Sequence, residues 1–171
     1  MAHAGGTGVR ITEHIHIERS PEDVWAVVSD PGTHTAWRPA LVEFRLMSEG
    51  RLEVGSRIRE RIRWAGREIE IDDVVTALDP PRRLGMRGGW KAADFELNLL
   101  LEPANGGTRV AFDWSFDPRT LLVRLATPLL GRTLRGATRD ELAGLKAYVE
   151  NRRASSATRL RRGAPAGRAD A

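Results

Sequence analysis

The sequence predicts an α+β domain made of one strand, two short helices, six further antiparallel strands and a long C-terminal helix. Three patterns support this fold class. Residues 11–18 alternate between apolar and polar side chains, which is typical of a half-buried strand. Residues 41–116 contain six strand-like runs that are separated by turn residues. Beyond residue 118, apolar side chains recur at helical intervals.

The composition is that of one globular domain. The chain has 171 residues, of which 41% are hydrophobic and 29% are charged, and this length supports a single hydrophobic core. It contains no cysteine, which excludes disulfides, thiolate zinc sites and cysteine nucleophiles. No run approaches the ~18 apolar residues of a membrane span, and residues 1–10 lack the apolar core of a signal peptide. We therefore expect a cytoplasmic protein.

The formal net charge of +4 is concentrated at the C-terminus. Residues 151–171 carry six arginines and one aspartate, whereas residues 1–150 carry 21 basic and 22 acidic side chains. This balance argues against a nucleic-acid partner. We expect a domain at residues 10–151, a disordered N-terminus at residues 1–9 and a disordered basic tail at residues 152–171. The tail is interpreted as a solubilising extension, with contact to anionic lipid or nucleic acid as the alternative.

Signals for two short helices follow the first strand. Ser20 is a suitable N-cap for a helix with Pro21 at its first position and acidic residues in its first turn. The Asp-Pro-Gly sequence at residues 30–32 ends that helix, and a second helical turn is expected at residues 35–37, before Pro39.

The charge pattern predicts the register of two hairpins. A turn at residues 65–66 would place three arginines opposite three acids, namely Arg63 opposite Glu68, Arg61 opposite Glu70 and Arg59 opposite Asp72. A turn at residues 105–106 would place four apolar residues opposite four others, namely Leu101 opposite Val110, Leu99 opposite Phe112, Leu97 opposite Trp114 and Phe95 opposite Phe116. Because alanine is not favoured in tight turns, a slip of one residue in the first hairpin is the alternative, and it would exchange the two faces.

Two further expectations concern a strand in the middle of the chain and the helix at its C-terminal end. A short strand at residues 83–87 is expected to end in a turn at Gly88 and Gly89. The C-terminal helix is expected to begin at residues 117–118 and to be kinked or divided at Pro128, because a proline ring clashes with a carbonyl one turn earlier.

Several local motifs occur at the starts of helices and in turns: IHIERSPEDVW at residues 15–25, SDPGTHTAWRP at residues 29–39, DPPRR at residues 79–83, GGTRV at residues 106–110 and LAGLKAYVE at residues 142–150. In these motifs the chain resembles START-like (SRPBCC) proteins, and in particular the polyketide cyclase/dehydrase family. The likeness covers residues 10–151. It is specific for the superfamily and not for an activity, because the motifs cap helices and shape turns.

The resemblance implies a helix-grip fold, in which a curved seven-stranded sheet wraps the long helix and encloses a cavity for a small hydrophobic molecule. An aromatic, polyketide or lipid-like ligand is implied, and an enzyme of this kind would be a cyclase or dehydratase that needs no cofactor. Members include enzymes and carriers, so the fold alone does not select a reaction. We expect a monomer or a weak homodimer. The alternative is a partner-binding module of the chaperone-activator kind that acts through its charged outer sheet face or its basic tail.

Apolar side chains of the strands and the long helix are candidates to line the cavity. Aromatic rings would supply rigid apolar walls, although plain core packing explains them equally well. Thr138 interrupts the apolar stripe of the helix, and its hydroxyl would face either the cavity or its own helix. The candidate ligand-binding residues are Trp37, Ile62, Ile71, Trp90, Leu97, Phe112, Trp114, Phe116, Leu134, Thr138 and Leu142.

Glu60 and Asp73 are the candidate catalytic residues. In the register set by the charges, both fall on the face that also carries isoleucines, diagonal to one another across the strand pair. A carboxylate among apolar side chains is costly unless it is paired, protonated or functional. The alternatives are structural pairing with an arginine and an error in the register.

The histidines and the glycines point to no further chemistry. His14 and His16 share the strand face opposite the isoleucines, with no third ligand nearby, so no metal site is expected and both rings should be exposed. His34, in an expected loop, is interpreted in the same way. No glycine-rich loop joins a strand to a helix, so no nucleotide cofactor is expected either.

Overall fold

The computed structural model describes residues 9–162. Within this range the seven strands are β1 (Val9–Ile17), β2 (Leu41–Leu46), β3 (Arg57–Trp64), β4 (Arg67–Asp79), β5 (Arg83–Trp90), β6 (Ala93–Ala104) and β7 (Gly107–Pro118). The α-helices are α1 (Pro21–Val28), α2 (His34–Trp37) and α3 (Leu121–Arg162), with a 3-10 turn at Pro31–Thr33. The strands form one antiparallel sheet in the order β1-β7-β6-β5-β4-β3-β2. The predicted α+β fold is therefore confirmed.

Helix α1 begins where the sequence predicts. The amide of Asp23 donates a hydrogen bond to the Ser20 hydroxyl oxygen at 3.2 Å, and Pro21 occupies the first turn. The buried residues of this helix are Val24, Val27 and Val28. Because these valines face inward, α1 packs against β6, β7 and α3.

The β3–β4 hairpin has the register that its charges predict. Trp64 lies opposite Arg67, and the two turn residues Ala65 and Gly66 have positive φ angles of 49° and 75°. Positive φ at both turn residues gives a hairpin whose twist matches the flanking strands, and here the strand pairing holds an alanine in that conformation. The alternative register, with its faces exchanged, is therefore wrong. The β6–β7 hairpin also has its predicted register, with Leu101 opposite Val110.

Strand β5 is longer than the sequence predicts. Gly88 and Gly89, expected in a turn, lie inside this strand, and the turn falls at residues 91–92. A Cβ on Gly88 would overlap Oδ1 of Asp73, its partner on β4, and a Cβ on Gly89 would lie 2.6 Å from the carbonyl oxygen of Ala93. Both glycines are therefore needed for close approach within the sheet.

Two expectations concern helix α3. The helix is not divided at Pro128, because a proline removes only one amide donor, while a kink at this position stays a prediction. It also continues past the expected domain boundary at residue 151 and ends at Arg162. The division of the chain into one domain and two disordered ends stays a prediction. Alanine, leucine and arginine favour helix, and extending an existing helix needs no new nucleus. Residues 1–8 and 163–171 lie outside the described range, and Val9 already belongs to β1.

The two halves of α3 pack differently against the sheet. At what we call the closed end, Leu142, Leu145 and Val149 belong to the core cluster that includes the valines of α1. At what we call the cavity end, Leu134 and Thr138 line an open space between helix and sheet. No helix in residues 9–162 combines the length and the hydropathy that crossing a membrane requires.

Candidate functional site

A cavity of about 170 Å³ lies between α3 and the strands from β3 to β7. Its walls include residues that the sequence marked as ligand-binding candidates, namely Ile62, Ile71, Trp90, Leu97, Phe112, Trp114, Phe116, Leu134 and Thr138. The rings of Trp90 and Phe116 lie 5.6 Å apart, and those of Trp114 and Phe116 meet edge to face at 6.4 Å. These contacts make a rigid aromatic wall.

Two of the candidates do not line this cavity. Trp37 and Leu142 are 6% and 3% exposed and belong to the hydrophobic core at the closed end. Leu142 lies one helical turn beyond Thr138, where the helix already packs on the core. A Cβ on Gly144 would overlap the carbonyl oxygen of Trp37, so α2 and α3 are in close contact there. Trp37 lines a different pocket, which lies between α2 and α3.

The hydroxyl of Thr138 is already engaged. Its oxygen accepts a hydrogen bond from Nε1 of Trp114 at 3.0 Å, and its O–H donates one to the carbonyl oxygen of Leu134 at 2.9 Å. The sequence left open whether the Thr138 hydroxyl faces the cavity or bonds to its own helix, and the bond to Leu134 is the second alternative. Thr138 therefore orients Trp114 and has no proton left for a ligand.

Glu60 is paired with an arginine that the sequence did not reveal. Arg38, directly after α2, donates to both carboxylate oxygens of Glu60 at 2.6 and 2.8 Å, and its Nε donates to Glu141 of α3 at 3.3 Å. The Arg38 and Glu60 side chains are 12% and 4% exposed. A two-pronged pair of this kind offsets much of the cost of burying both charges. Burial raises the pKa of Glu141, although Arg38 opposes the shift.

The environment of Asp73 differs from that of Glu60, which is held in an ion pair. It is 2% exposed and lines the same cavity, and its Oδ1 has no hydrogen-bond partner among the described residues. Burial, reinforced by the negative charge of Glu60, raises the pKa of Asp73 to about 8, although Arg38 acts in the other direction. Asp73 is therefore mostly a neutral carboxylic acid at pH 7.

The two acids show how much of the site the sequence specified. Both carboxyl groups point to the cavity side of the sheet, as the charge register predicted. The sequence did not reveal Arg38 or Glu141. Glu141 could have been found, because it lies three residues after Thr138 and so on the same helix face. Arg38 carries no periodic signal, since it follows a single short helix.

Three of the four histidines lie within the described residues. No group of three or more side chains in residues 9–162 is suited to hold a metal ion. His14 is exposed and His16 is half-buried. His34, expected to be exposed, is instead buried in α2, where it stacks on Phe44 with ring centroids 4.0 Å apart. Burial lowers the pKa of His34 to about 3, so its neutral ring donates from Nε2 to the carbonyl oxygen of Val28 at 3.0 Å.

An antiparallel sheet curved over a long helix, with an aromatic cavity between them, defines the class of helix-grip proteins with an internal ligand cavity. The chain belongs to the family described as polyketide cyclase/dehydrase and lipid transport, whose model matches residues 8–150. This match confirms the resemblance found in the motifs. No curated protein sequence matches the chain.

Solved structures share the fold at low sequence identity. The aromatase/cyclase Zhui from Streptomyces sp. R1128 has a TM-score of 0.74 and 14% identity, over 85% of this chain and 95% of its own. A START superfamily protein from Mycobacterium smegmatis has a TM-score of 0.70 and 17% identity, over 83% and 97%. The protein TTHA0849 from Thermus thermophilus has a TM-score of 0.71 and 16% identity, over 84% and 98%. At such identities these likenesses show the fold alone.

Proposed function

We propose that this protein binds a small hydrophobic molecule in the cavity between α3 and the sheet. The observation that carries the proposal is an aromatic-walled cavity lined by a buried acid, Asp73, whose Oδ1 has no hydrogen-bond partner among the described residues. A cavity of about 170 Å³ is close to the roughly 150 Å³ that holds benzene in an engineered protein interior. It suits a molecule of one aromatic ring, and a larger ligand would require α3 to move away from the sheet.

Asp73 is the residue that would recognise a polar group on such a ligand. In its neutral form it has one O–H donor, which suits an uncharged carbonyl oxygen. A carboxylate ligand is disfavoured, because Glu60 and Glu141 already outnumber Arg38 at this site. If the ligand is a substrate for cyclisation or dehydration, Asp73 is the group placed to donate the proton. Burial is the main reason that Asp73 keeps its proton, and Glu60, held by Arg38, acts as a positioning residue whose negative charge adds to this effect.

Three ligands of similar shape test this assignment by isothermal titration calorimetry. Acetophenone carries a carbonyl acceptor, cumene replaces that carbonyl with a hydrocarbon group, and benzoate carries a negative charge. At pH 6 we expect acetophenone to bind tighter than cumene and benzoate to bind weakest. Above pH 8 the affinity for acetophenone should fall by about tenfold per pH unit, because Asp73 loses its donor proton.

Variants identify the group that titrates. The fall in acetophenone affinity above pH 8 should disappear in Asp73→Asn, because the asparagine amide donates at every pH. In Glu60→Gln the fall in affinity should begin at lower pH, because a neighbouring negative charge is lost. Asp72→Asn is the matched control, because this adjacent acid points outward and pairs with Arg59. An unchanged pH profile in Asp73→Asn would remove the role of this residue. Failure of both cumene and acetophenone to bind would contradict the cavity proposal itself.

The natural ligand is best sought directly. Native mass spectrometry of freshly isolated protein should show an added mass when a ligand copurifies, and that mass should be lost in a variant whose cavity is filled, such as Ile62→Phe. The alternative of a partner-binding module has less support. Arg59, Arg61 and Arg63 on the outer face each form an ion pair with an acid of the same sheet.

A further inference from the structure

Helix α3 begins with an apolar face that no described residue covers. Leu121, Leu122, Leu125 and Leu129 are 71%, 79%, 73% and 74% exposed. Their spacing of one, three and four residues places them on one side of the helix, and we call this side the leucine face. The opposite side of the same turns, which includes Val123 and Leu130, is half-buried against the domain. Four such leucines together exceed the scattered apolar exposure that is normal for a soluble surface.

The surroundings of the leucine face are basic. Residues 118–139 contain five arginines and no acidic residue. Arg119 pairs with Asp94, while Arg135 and Arg139 pair with Glu13. Arg124 and Arg132 have no ion pair within residues 9–162, and both are exposed. Exposed leucines with flanking arginines match the composition of helices that lie in the headgroup region of a membrane.

The leucine face lies close to the cavity. Among the cavity-lining residues, Ala137 of α3 is exposed, so the cavity comes close to the surface beside this helix. Ala137 follows Leu129 by eight residues, which corresponds to about 12 Å along the helix. A surface in contact with the leucine face would therefore be near this part of the cavity.

We propose that the leucine face docks on an anionic lipid surface. Leucine side chains would enter the boundary between headgroups and acyl chains, while Arg124 and Arg132 contact the anionic headgroups. A second copy of the chain fits this face less well. In a two-fold contact centred on Leu125, the neighbouring Arg124 would lie beside its own counterpart, and like charges would repel. This proposal goes beyond ligand binding and does not depend on it.

Vesicle co-sedimentation of the full chain tests the apolar part of the proposal. We expect binding to vesicles of phosphatidylglycerol and phosphatidylcholine, and little binding to phosphatidylcholine alone. The double variant Leu125→Gln with Leu129→Gln should bind the anionic vesicles about tenfold more weakly or worse, because it removes two inserted side chains. The matched control is Met47→Gln with Val54→Gln, which alters two exposed apolar residues elsewhere and should leave binding unchanged.

The contribution of the two flanking arginines to vesicle binding is tested separately. The double variant Arg124→Gln with Arg132→Gln should weaken binding by about fivefold per arginine at low salt, and the effect should shrink at 0.5 M salt. All variants keep the arginine-rich residues 151–171, so any contribution of that segment is the same throughout.

Three results would overturn the proposal. The first is an absence of binding to anionic vesicles, and the second is equal binding by the leucine variant and its control. The third is a concentration-dependent dimer in analytical ultracentrifugation that the leucine variant abolishes, because the face would then belong to a second copy. Calorimetry of the leucine variant with acetophenone keeps the two proposals apart, since its cavity residues are unaltered and cavity binding should persist.

Discussion

The closed end and the cavity end of α3 lie over the same curved sheet but differ in what fills the space between them. At the closed end, α1 and α2 bring the side chains that pack with Leu142, Leu145 and Val149. At the cavity end no helix formed by residues 9–162 intervenes between α3 and the sheet, and the aromatic walls leave about 170 Å³ open. The two short helices therefore decide which part of the concave face becomes core and which part stays open.

The two ends also treat buried ionisable groups differently. At the closed end His34 is neutral and bonds to a backbone carbonyl. At the cavity end Asp73 has an unpartnered oxygen, beside an acid that an arginine already satisfies. A buried polar group without a partner costs stability in the absence of a ligand. Unpartnered buried atoms also occur at the closed end, at Nδ1 of His34 and Nε1 of Trp37, so the feature that distinguishes the cavity end is a buried acid beside open space.

The largest expected effect is a loss of stability when leucine is replaced by alanine, compared between the two ends of α3. Leu145→Ala, at a fully buried position, should lower the free energy of unfolding by about 3 kcal/mol, because it leaves a cavity in a packed core. Leu134→Ala, beside space that is already open, should cost about 1 kcal/mol. Urea denaturation measures both values. Equal losses would show that the two ends are equally well packed.

An intermediate effect concerns the pH dependence of stability at the cavity end. The pKa of Asp73 is about 8 in the folded chain and about 3.9 in an unfolded one. The folded state thus holds the proton more tightly, so this group lowers stability as pH rises from about 4 to about 8, by up to ~1.4 kcal/mol per pH unit. In Asp73→Asn this contribution should vanish, as urea denaturation at several pH values would show.

At the closed end, the ionisation of His34 changes stability with pH in the opposite direction. Its pKa is about 3 when folded and about 6.5 when unfolded, so its contribution lowers stability as pH falls from about 6.5 to about 3. The comparison of wild type with Asp73→Asn therefore isolates the cavity end, since His34 is common to both. A stability difference between the two proteins that is constant from pH 4 to pH 8 would rule out a raised pKa for Asp73.

The smallest expected effect concerns the hydrogen bond that orients the aromatic wall. Thr138→Val keeps the shape of the side chain but leaves Nε1 of Trp114 without its acceptor, which should cost about 1 kcal/mol. Tryptophan fluorescence should shift as the ring changes its environment. The matched control is Thr127→Val, whose hydroxyl bonds only to its own helix, at the carbonyl oxygen of Val123. If both variants show the same loss, the Trp114 bond contributes nothing of its own.

Much of the fold was specified by local sequence. The Ser20 cap and the alternation of β1 depend on neighbouring residues, so each could be predicted from a short window. The charge ladder from Arg59 to Asp72 also fixed a register, and this register placed Glu60 and Asp73 on the cavity side before any contact was known. These inferences succeeded because hairpin partners are close along the chain.

Other features depended on contacts between distant parts of the chain, and the sequence by itself did not determine them. Gly88 looked like a turn residue, but the carboxyl group of Asp73 on the adjacent strand requires a glycine there. Arg38 became a buried ion-pair partner only because α2 places it between Glu60 of β3 and Glu141 of α3. Sequence thus determined which faces point inward, through periodicity. Tertiary structure decided which inward acid is paired and which has an oxygen without a hydrogen bond, because burial and charge act through space and not along the chain.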